Sequence, residues 1–97
     1  MPLHRAAMAG RVEAARVLIA HGAPLDALDG MFAATPLVWA VEGRRHAGDD
    51  ADHVGVARVL IAAGSPLDWT PPDGAPDVEG TLDGLAAIRA EAARAGA

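Results

Sequence analysis

Two imidazoles and three carboxylates lie close together in the chain, within residues 46–53. Imidazole nitrogens and carboxylate oxygens bind zinc and other divalent metals, so this segment is the densest candidate for chemistry in the sequence. Its spacing matches no defined metal-binding loop, and a solvated loop in which Asp50 or Asp52 caps the next helix explains the same residues. We favour the loop and keep metal binding as a weaker alternative, with His46, Asp49, Asp50, Asp52 and His53 as candidate ligands.

Residues that could support catalysis are otherwise sparse. The chain has no Cys, which excludes a disulfide framework and a Cys-ligated zinc site. Its only serine, Ser65, has no plausible base in its sequence context, and the lack of Lys excludes a phosphate-binding loop that ends in Gly-Lys. The four glutamates are dispersed along the chain. We expect no enzymatic activity and no cofactor.

Composition limits the partners. With 97 residues the chain is long enough for one domain. Its formal net charge of −5 and the lack of a basic patch argue against nucleic acid. We expect neither a membrane span nor a signal peptide, and therefore a cytoplasmic protein. Arg replaces Lys throughout, which we interpret as the coding bias of a GC-rich, bacterial genome.

A twelve-residue segment occurs twice. Residues 15–26 return as residues 57–68, with ten of the twelve positions identical. In each copy the apolar residues are spaced three and four positions apart, which places them on one face of a helix. Gly22 and Gly64 suit the left-handed conformation that ends a helix, and a proline two residues later prevents it from continuing. Internal repetition of this kind predicts a helical repeat fold.

Each copy is predicted to contain a pair of helices. The first pair covers residues 2–9 and 12–21. Thr35 is a good N-cap and Pro36 a good first residue for the second pair. The proline returns after 34 residues but the repeated helix returns after 42, so eight extra residues separate the helices of the second copy, near 43–52.

A last helix is predicted over residues 81–95, with Thr81 as its N-cap, after a proline-containing linker over 70–80. It would cover the open end of the repeat stack. The sequence thus predicts a single all-α domain, a solenoid of helix-turn-helix repeats. Repeat 1 covers about 1–34, repeat 2 covers about 35–69, and the last helix is a C-terminal cap.

The order of helix, turn, helix, glycine and hairpin covers residues 1 to about 70. The residues that carry it are Pro2-Leu3-His4, Ala6-Ala7, Gly10, Glu13, Val17-Leu18-Ile19 and Gly22-Ala23 in the first copy, and Thr35-Pro36-Leu37, Ala40, Val59-Leu60-Ile61, Gly64 and Asp68 in the second. With a spacing near 34 residues, this pattern resembles the ankyrin repeat family.

The resemblance implies a module that binds another protein through its hairpin tips and the groove of its first helices. Met31 and Phe32 are large apolar residues at a hairpin tip, where we expect partner contact unless the longer hairpin folds back on the stack. We expect further contacts at Trp39, Glu42 and Arg44, for which the resemblance supports the location but not the residue types.

Three other residues have a structural interpretation. By resemblance, the imidazole of His4 ties neighbouring turns together. Trp39, where the first copy has arginine, either packs under Arg44 or the insertion, or lines the groove. Trp69, where the first copy has alanine, either bridges the second repeat to the last helix or lies at a binding surface.

A second hypothesis concerns assembly. Met1 stands where the family has Thr, so the sequence begins inside a repeat motif. Upstream repeats would then have been lost, or the exposed face of the first helix pair would stack on another copy as a homodimer. The fold alone does not identify a partner.

Overall fold

The computed structural model describes residues 2–30, 33–46, 51–75 and 78–95. Within these ranges the chain forms five helices and no strand, which confirms the all-α prediction. The helices are α1 (Pro2–Ala9), α2 (Val12–Ala20), α3 (Pro36–Arg45), α4 (His53–Ala62) and α5 (Val78–Ala95). None of the helices in the described residues is both long and apolar enough to cross a bilayer.

Both helices of the second pair begin with a side-chain cap. Thr35 Oγ1 accepts a hydrogen bond from the Val38 backbone N–H at 3.4 Å, and Pro36 lies in the first turn of α3. Asp52 Oδ1 accepts one from the Gly55 backbone N–H at 2.9 Å, at the start of α4. These caps satisfy N–H groups that have no partner inside the helix, as predicted for both residues.

The repeated glycines follow the ends of α2 and α4. Gly22 has a φ of +86° and Gly64 a φ of +102°, in the left-handed region that favours glycine. In both copies the next backbone N–H donates to the carbonyl five residues earlier at 3.0 Å. The two copies therefore share one helix-ending geometry, which the repeated sequence predicted.

The last helix begins earlier than predicted. It starts at Val78, so Thr81 lies inside α5 and is not its N-cap. Thr81 is only 5% exposed, and its hydroxyl donates to Glu42 Oε1 at 2.5 Å. The predicted cap is therefore wrong, and the partner of the Thr81 hydroxyl is a side chain of α3.

The central helix is α3, which packs against α1, α4 and α5. Its approach to α1 requires Gly43, because a Cβ at that position would overlap the carbonyl oxygen of Met8. The approach of α5 requires Gly84, where a Cβ would lie 2.7 Å from Val41 Cγ1. The largest fully buried side chains of the core are Leu37, Leu60, Ile88, His4 and Val56.

Candidate functional site

A groove of about 960 Å³ lies along α3, within the size range of ligand-binding clefts. The end of α1 and the exposed side of α3 form one wall, and residues 69–75 with Thr81 form the other. Most of the lining is apolar: Met8, Ala34, Val38, Trp39, Trp69 and Pro72. The charged or ionisable side chains of the lining are Glu42, Arg45, His46 and Asp73.

Trp39 is half-buried in the wall of this groove. Its indole N–H donates to Asp29 Oδ1 at 3.1 Å, and the same oxygen accepts from the Ala34 backbone N–H at 2.8 Å. Its ring meets that of His4 edge to face, with centroids 5.6 Å apart and planes at 82°. Trp39 thus packs against the core, as favoured from the sequence, and also lines the groove.

Trp69 lies on the opposite wall. Its indole N–H donates to the carbonyl of Ala33 at 2.8 Å, a residue with a φ of +50°. The hydrogen bond therefore reaches back to the first hairpin, so Trp69 joins the two hairpins, and its bridge to the last helix stays a prediction. Because both indole N–H groups are bound to the same hairpin, the ring positions are fixed before any partner binds.

Glu42 lies at the floor of the groove, half-buried between α3 and α5. Its Oε1 accepts the Thr81 hydroxyl at 2.5 Å and lies 3.5 Å from Arg45 Nη1. The predicted contact residue is thus within reach of a groove ligand while it already links two helices.

Arg44 points its guanidinium at α5. It forms two hydrogen bonds with the carboxylate of Glu91, one of them from Nη2 to Oε1 at 2.8 Å. The hydrogen bond lowers the pKa of Glu91 and raises that of Arg44. Because this guanidinium is already paired, its predicted role in partner contact stays a prediction and is weaker than that of Trp39.

Met31 and Phe32 lie outside the described residues. The base of their hairpin is described: Asp29 N–H donates to the Ala34 carbonyl at 3.1 Å, and Ala33 N–H to the Asp29 carbonyl at 3.2 Å. The hairpin that carries them is therefore the one to which both indoles are bound. Their contact with a partner stays a prediction.

The metal alternative finds little support among its described ligands. Asp52 caps α4, and the buried ring of His53 donates from Nε2 to the Met8 carbonyl at 2.7 Å. His46 is exposed at the end of α3, whereas Asp49 and Asp50 lie outside the described residues. In the part of the chain that the structure describes, no three possible ligands gather at one point.

His4 has the structural role that the resemblance implied. The ring is 2% exposed, and its Nε2 lies 3.0 Å from the carbonyl oxygens of both Ala27 and Ala34. Carbonyl oxygens only accept, so Nε2 carries the proton that is shared between them. His4 therefore holds both ends of the first hairpin against α1.

Sequence reasoning missed most of the second wall. Pro72 and Asp73 were assigned to a linker without function, and Thr81 to a helix cap. The available signal was the pair of replacements in the second copy, where Trp39 stands at the position of Arg5 and Trp69 at that of Ala27. Two indoles introduced at separate positions of one repeat indicate a shared surface.

A family model described as ankyrin repeats (many copies) matches residues 3–61. The matched segment covers more than half of the chain, runs through α1 to α4, and ends before the second wall of the groove. Neither the curated proteins nor the solved structures gave a significant match. The helix order and the family match agree: the chain belongs to the ankyrin repeat family.

Proposed function

We propose that this protein is a non-catalytic module that binds a partner protein in the groove along α3. Ankyrin repeats are generally protein–protein interaction modules and are typically not catalytic. The observation that carries the proposal is the pair of indoles, Trp39 and Trp69, which line one apolar groove and are fixed by hydrogen bonds at 3.1 Å and 2.8 Å. Aromatic anchors that need no reordering are the residues that contribute most to binding.

The hairpin tip belongs to the same proposed surface. Met31 and Phe32 follow Gly30 in the sequence of the hairpin that holds both indoles, and we expect them to contact the same partner. Glu42 would contact the partner from the floor, and Arg44 would support α5. The repeats that build this surface are those inferred from the sequence, about 1–34 and 35–69.

Site-specific photo-crosslinking tests the location. A photoreactive benzoylphenylalanine at position 73, on the exposed edge of the groove, should give one dominant adduct when the protein is irradiated in its native cells. The same residue at position 14, exposed on α2, is the matched control and should give none. The partner identified from the adduct is then purified and the complex rebuilt from the two pure components. No adduct from position 73, or the same adducts from both positions, would reject the groove as the binding site.

Self-association is the second candidate, through the exposed side of α1 and α2. Val17 is the large apolar residue of α2 that is exposed, with 55% of its surface accessible to solvent. It is flanked by Glu13 and Arg16, which form an ion pair at 3.6 Å. Ala14 is exposed, whereas its counterpart Val56 is fully buried between helices. We therefore expect a monomer by light scattering; a dimer whose melting temperature rises with protein concentration would favour the second candidate.

A cytoplasmic, bacterial origin stays a prediction from the sequence.

A further inference from the structure

Charge is unevenly distributed around the groove. Between Arg58 and Arg89 the chain has no Arg, Lys or His, but it has the carboxylates Asp68, Asp73, Asp77, Glu79 and Asp83. This segment supplies the second wall of the groove and the start of α5. Among the lining residues that this segment supplies, Asp73 carries the charge, and it is negative.

Three of these carboxylates are exposed and available. Asp73, Glu79 and Asp83 are exposed and have no ion-pair partner within the described residues. Asp68 differs, because its Oδ1 lies 2.9 Å from Arg89 Nη1. Asp73 lines the groove, whereas Glu79 and Asp83 lie on α5 outside its lining. An unpaired carboxylate in an apolar cleft contributes a negative potential that attracts a cationic ligand.

The opposite edge does not cancel this potential. The cationic side chain on that edge is Arg45, and its Nη1 lies 3.5 Å from Glu42 Oε1. The guanidinium therefore sits beside a carboxylate of the groove floor. Together with the net charge of −5, this leaves the groove suited to a positively charged occupant.

The indoles favour the same kind of ligand. Trp is the aromatic side chain that attracts a Lys or Arg cation most strongly when the cation lies over its ring. With both N–H groups bound to the hairpin, the rings of Trp39 and Trp69 present carbon surface to the groove. An arginine or lysine can lay its aliphatic stem on that surface and direct its charge towards Asp73.

We propose that the partner enters the groove with a basic peptide segment, in which Arg or Lys side chains alternate with apolar ones. This inference rests on the proposed function and specifies the chemistry of the partner. Nucleic acid is the wrong occupant for this groove, because its phosphates would face the carboxylate of Asp73.

Tryptophan fluorescence provides a local readout, since the chain has only two tryptophans and both line the groove. The probe is an acetylated, amidated octapeptide of alternating Arg and Leu, titrated into the full chain. Matched peptides carry Glu or Gln in place of Arg. The Arg peptide should shift the emission and bind at least about tenfold more tightly than either matched peptide, and its affinity should fall between about 50 mM and 500 mM salt.

Conservative substitutions of single carboxylates test which of them contributes to binding of the Arg peptide. Asp73→Asn should weaken binding of the Arg peptide about two- to fivefold, as is usual for exposed charge pairs. Asp26→Asn, which removes an exposed carboxylate that does not line the groove, should leave the affinity unchanged. Circular dichroism confirms that each variant is folded.

Four results would overturn the inference. These are equal or tighter binding of the Glu or Gln peptide, no binding of any peptide, no effect of salt, and equal weakening by Asp26→Asn. Each of them leaves the crosslinking at position 73 to decide the proposed function separately. A partner crosslinked there through a segment without Arg or Lys would support the groove and reject its charge preference.

Discussion

Leu3 and Leu37 occupy the same position in the two helix pairs, and both are buried, at 3% and 0% exposure. Arg5 and Trp39 share another position, but Arg5 is exposed whereas Trp39 lines the groove. The same contrast holds between Ala27 and Trp69. Positions at which the copies agree mainly build the scaffold, and positions at which they differ mainly build the groove.

The hairpin contacts differ in the same way. In the first copy His4 holds the hairpin by two contacts of 3.0 Å to its carbonyls. The second copy has Val38 at that position, and Trp69 instead binds Ala33 of the first hairpin at 2.8 Å. The second copy thus gives up a structural histidine, uses the position for apolar groove surface, and depends on the first copy for its anchoring.

The largest effect is expected at His4. His4→Ala removes a buried ring and its hydrogen bonds to the carbonyls of Ala27 and Ala34, so the free energy of unfolding should fall by about 2–4 kcal/mol. Chemical denaturation measures this. His21→Ala is the matched control, because His21 is exposed and bonds only within its own helix, to the Val17 carbonyl at 2.8 Å. Similar losses for both would contradict the structural role of His4.

The second largest effect on stability is expected at Gly43. A Cβ at Gly43 would overlap the Met8 carbonyl, whereas the corresponding residue of the first copy, Ala9, is exposed. Gly43→Ala should therefore force α1 and α3 apart and destabilise the fold by about 1–3 kcal/mol. Gly30→Ala, where nothing lies within 4 Å of the added methyl, should be nearly neutral in the same thermal melt. A neutral Gly43→Ala would mean that α1 and α3 are farther apart than described here.

Helix caps give a smaller, reciprocal test. Asp52 caps α4 at 2.9 Å, but Arg11, which holds the N-cap position of α2, makes no side-chain cap. Asp52→Ala should cost about 1 kcal/mol, and Arg11→Asp should add up to about 1 kcal/mol of stability. Urea midpoints of the two variants should move in opposite directions. Movement in the same direction would show that the starts of α2 and α4 are not equivalent.

The smallest effect concerns the ion pair between Arg44 and Glu91, which has no equivalent described in the first copy. The side chains are 40% and 32% exposed, so solvent screens the pair and Glu91→Gln should destabilise only slightly. Because folding lowers the pKa of Glu91, the pair stabilises above the ordinary carboxyl pKa, and this contribution is lost as pH falls through the lowered value. The difference in melting temperature between wild type and Glu91→Gln should therefore vanish in acid. Glu79→Gln, an exposed and unpaired control, should show no such pH dependence.

The scaffold was predictable because its signals are local and repeated. Gly22 and Gly64 mark helix ends, Thr35 and Asp52 mark helix starts, and each acts within a few residues of itself. Because the twelve-residue segment occurs twice, each signal within it appears in both copies. The resemblance that these residues carry also predicted the role of His4, whose partners lie 23 and 30 residues away.

The groove was only partly predictable, because its second wall depends on contacts between distant segments. Thr81 is a good N-cap by residue type, and only its burial against Glu42, 39 residues away, shows its other use. Trp69 reaches 36 residues back to Ala33. No local pattern encodes either pairing, and neither residue lies within the family match, which ends at residue 61.

The most direct measurement changes one groove residue to that of the first copy. Trp39→Arg is combined with the photoreactive residue at position 73, and both crosslinking and circular dichroism are recorded. The account predicts loss of the partner adduct. It also predicts a helical spectrum like that of the parent protein, because the helix caps and the buried leucines are unchanged although Trp39 loses its contacts with Asp29 and His4. An undiminished adduct would contradict the assignment of the groove as the binding site, and an unfolded variant would contradict the division between scaffold and groove positions.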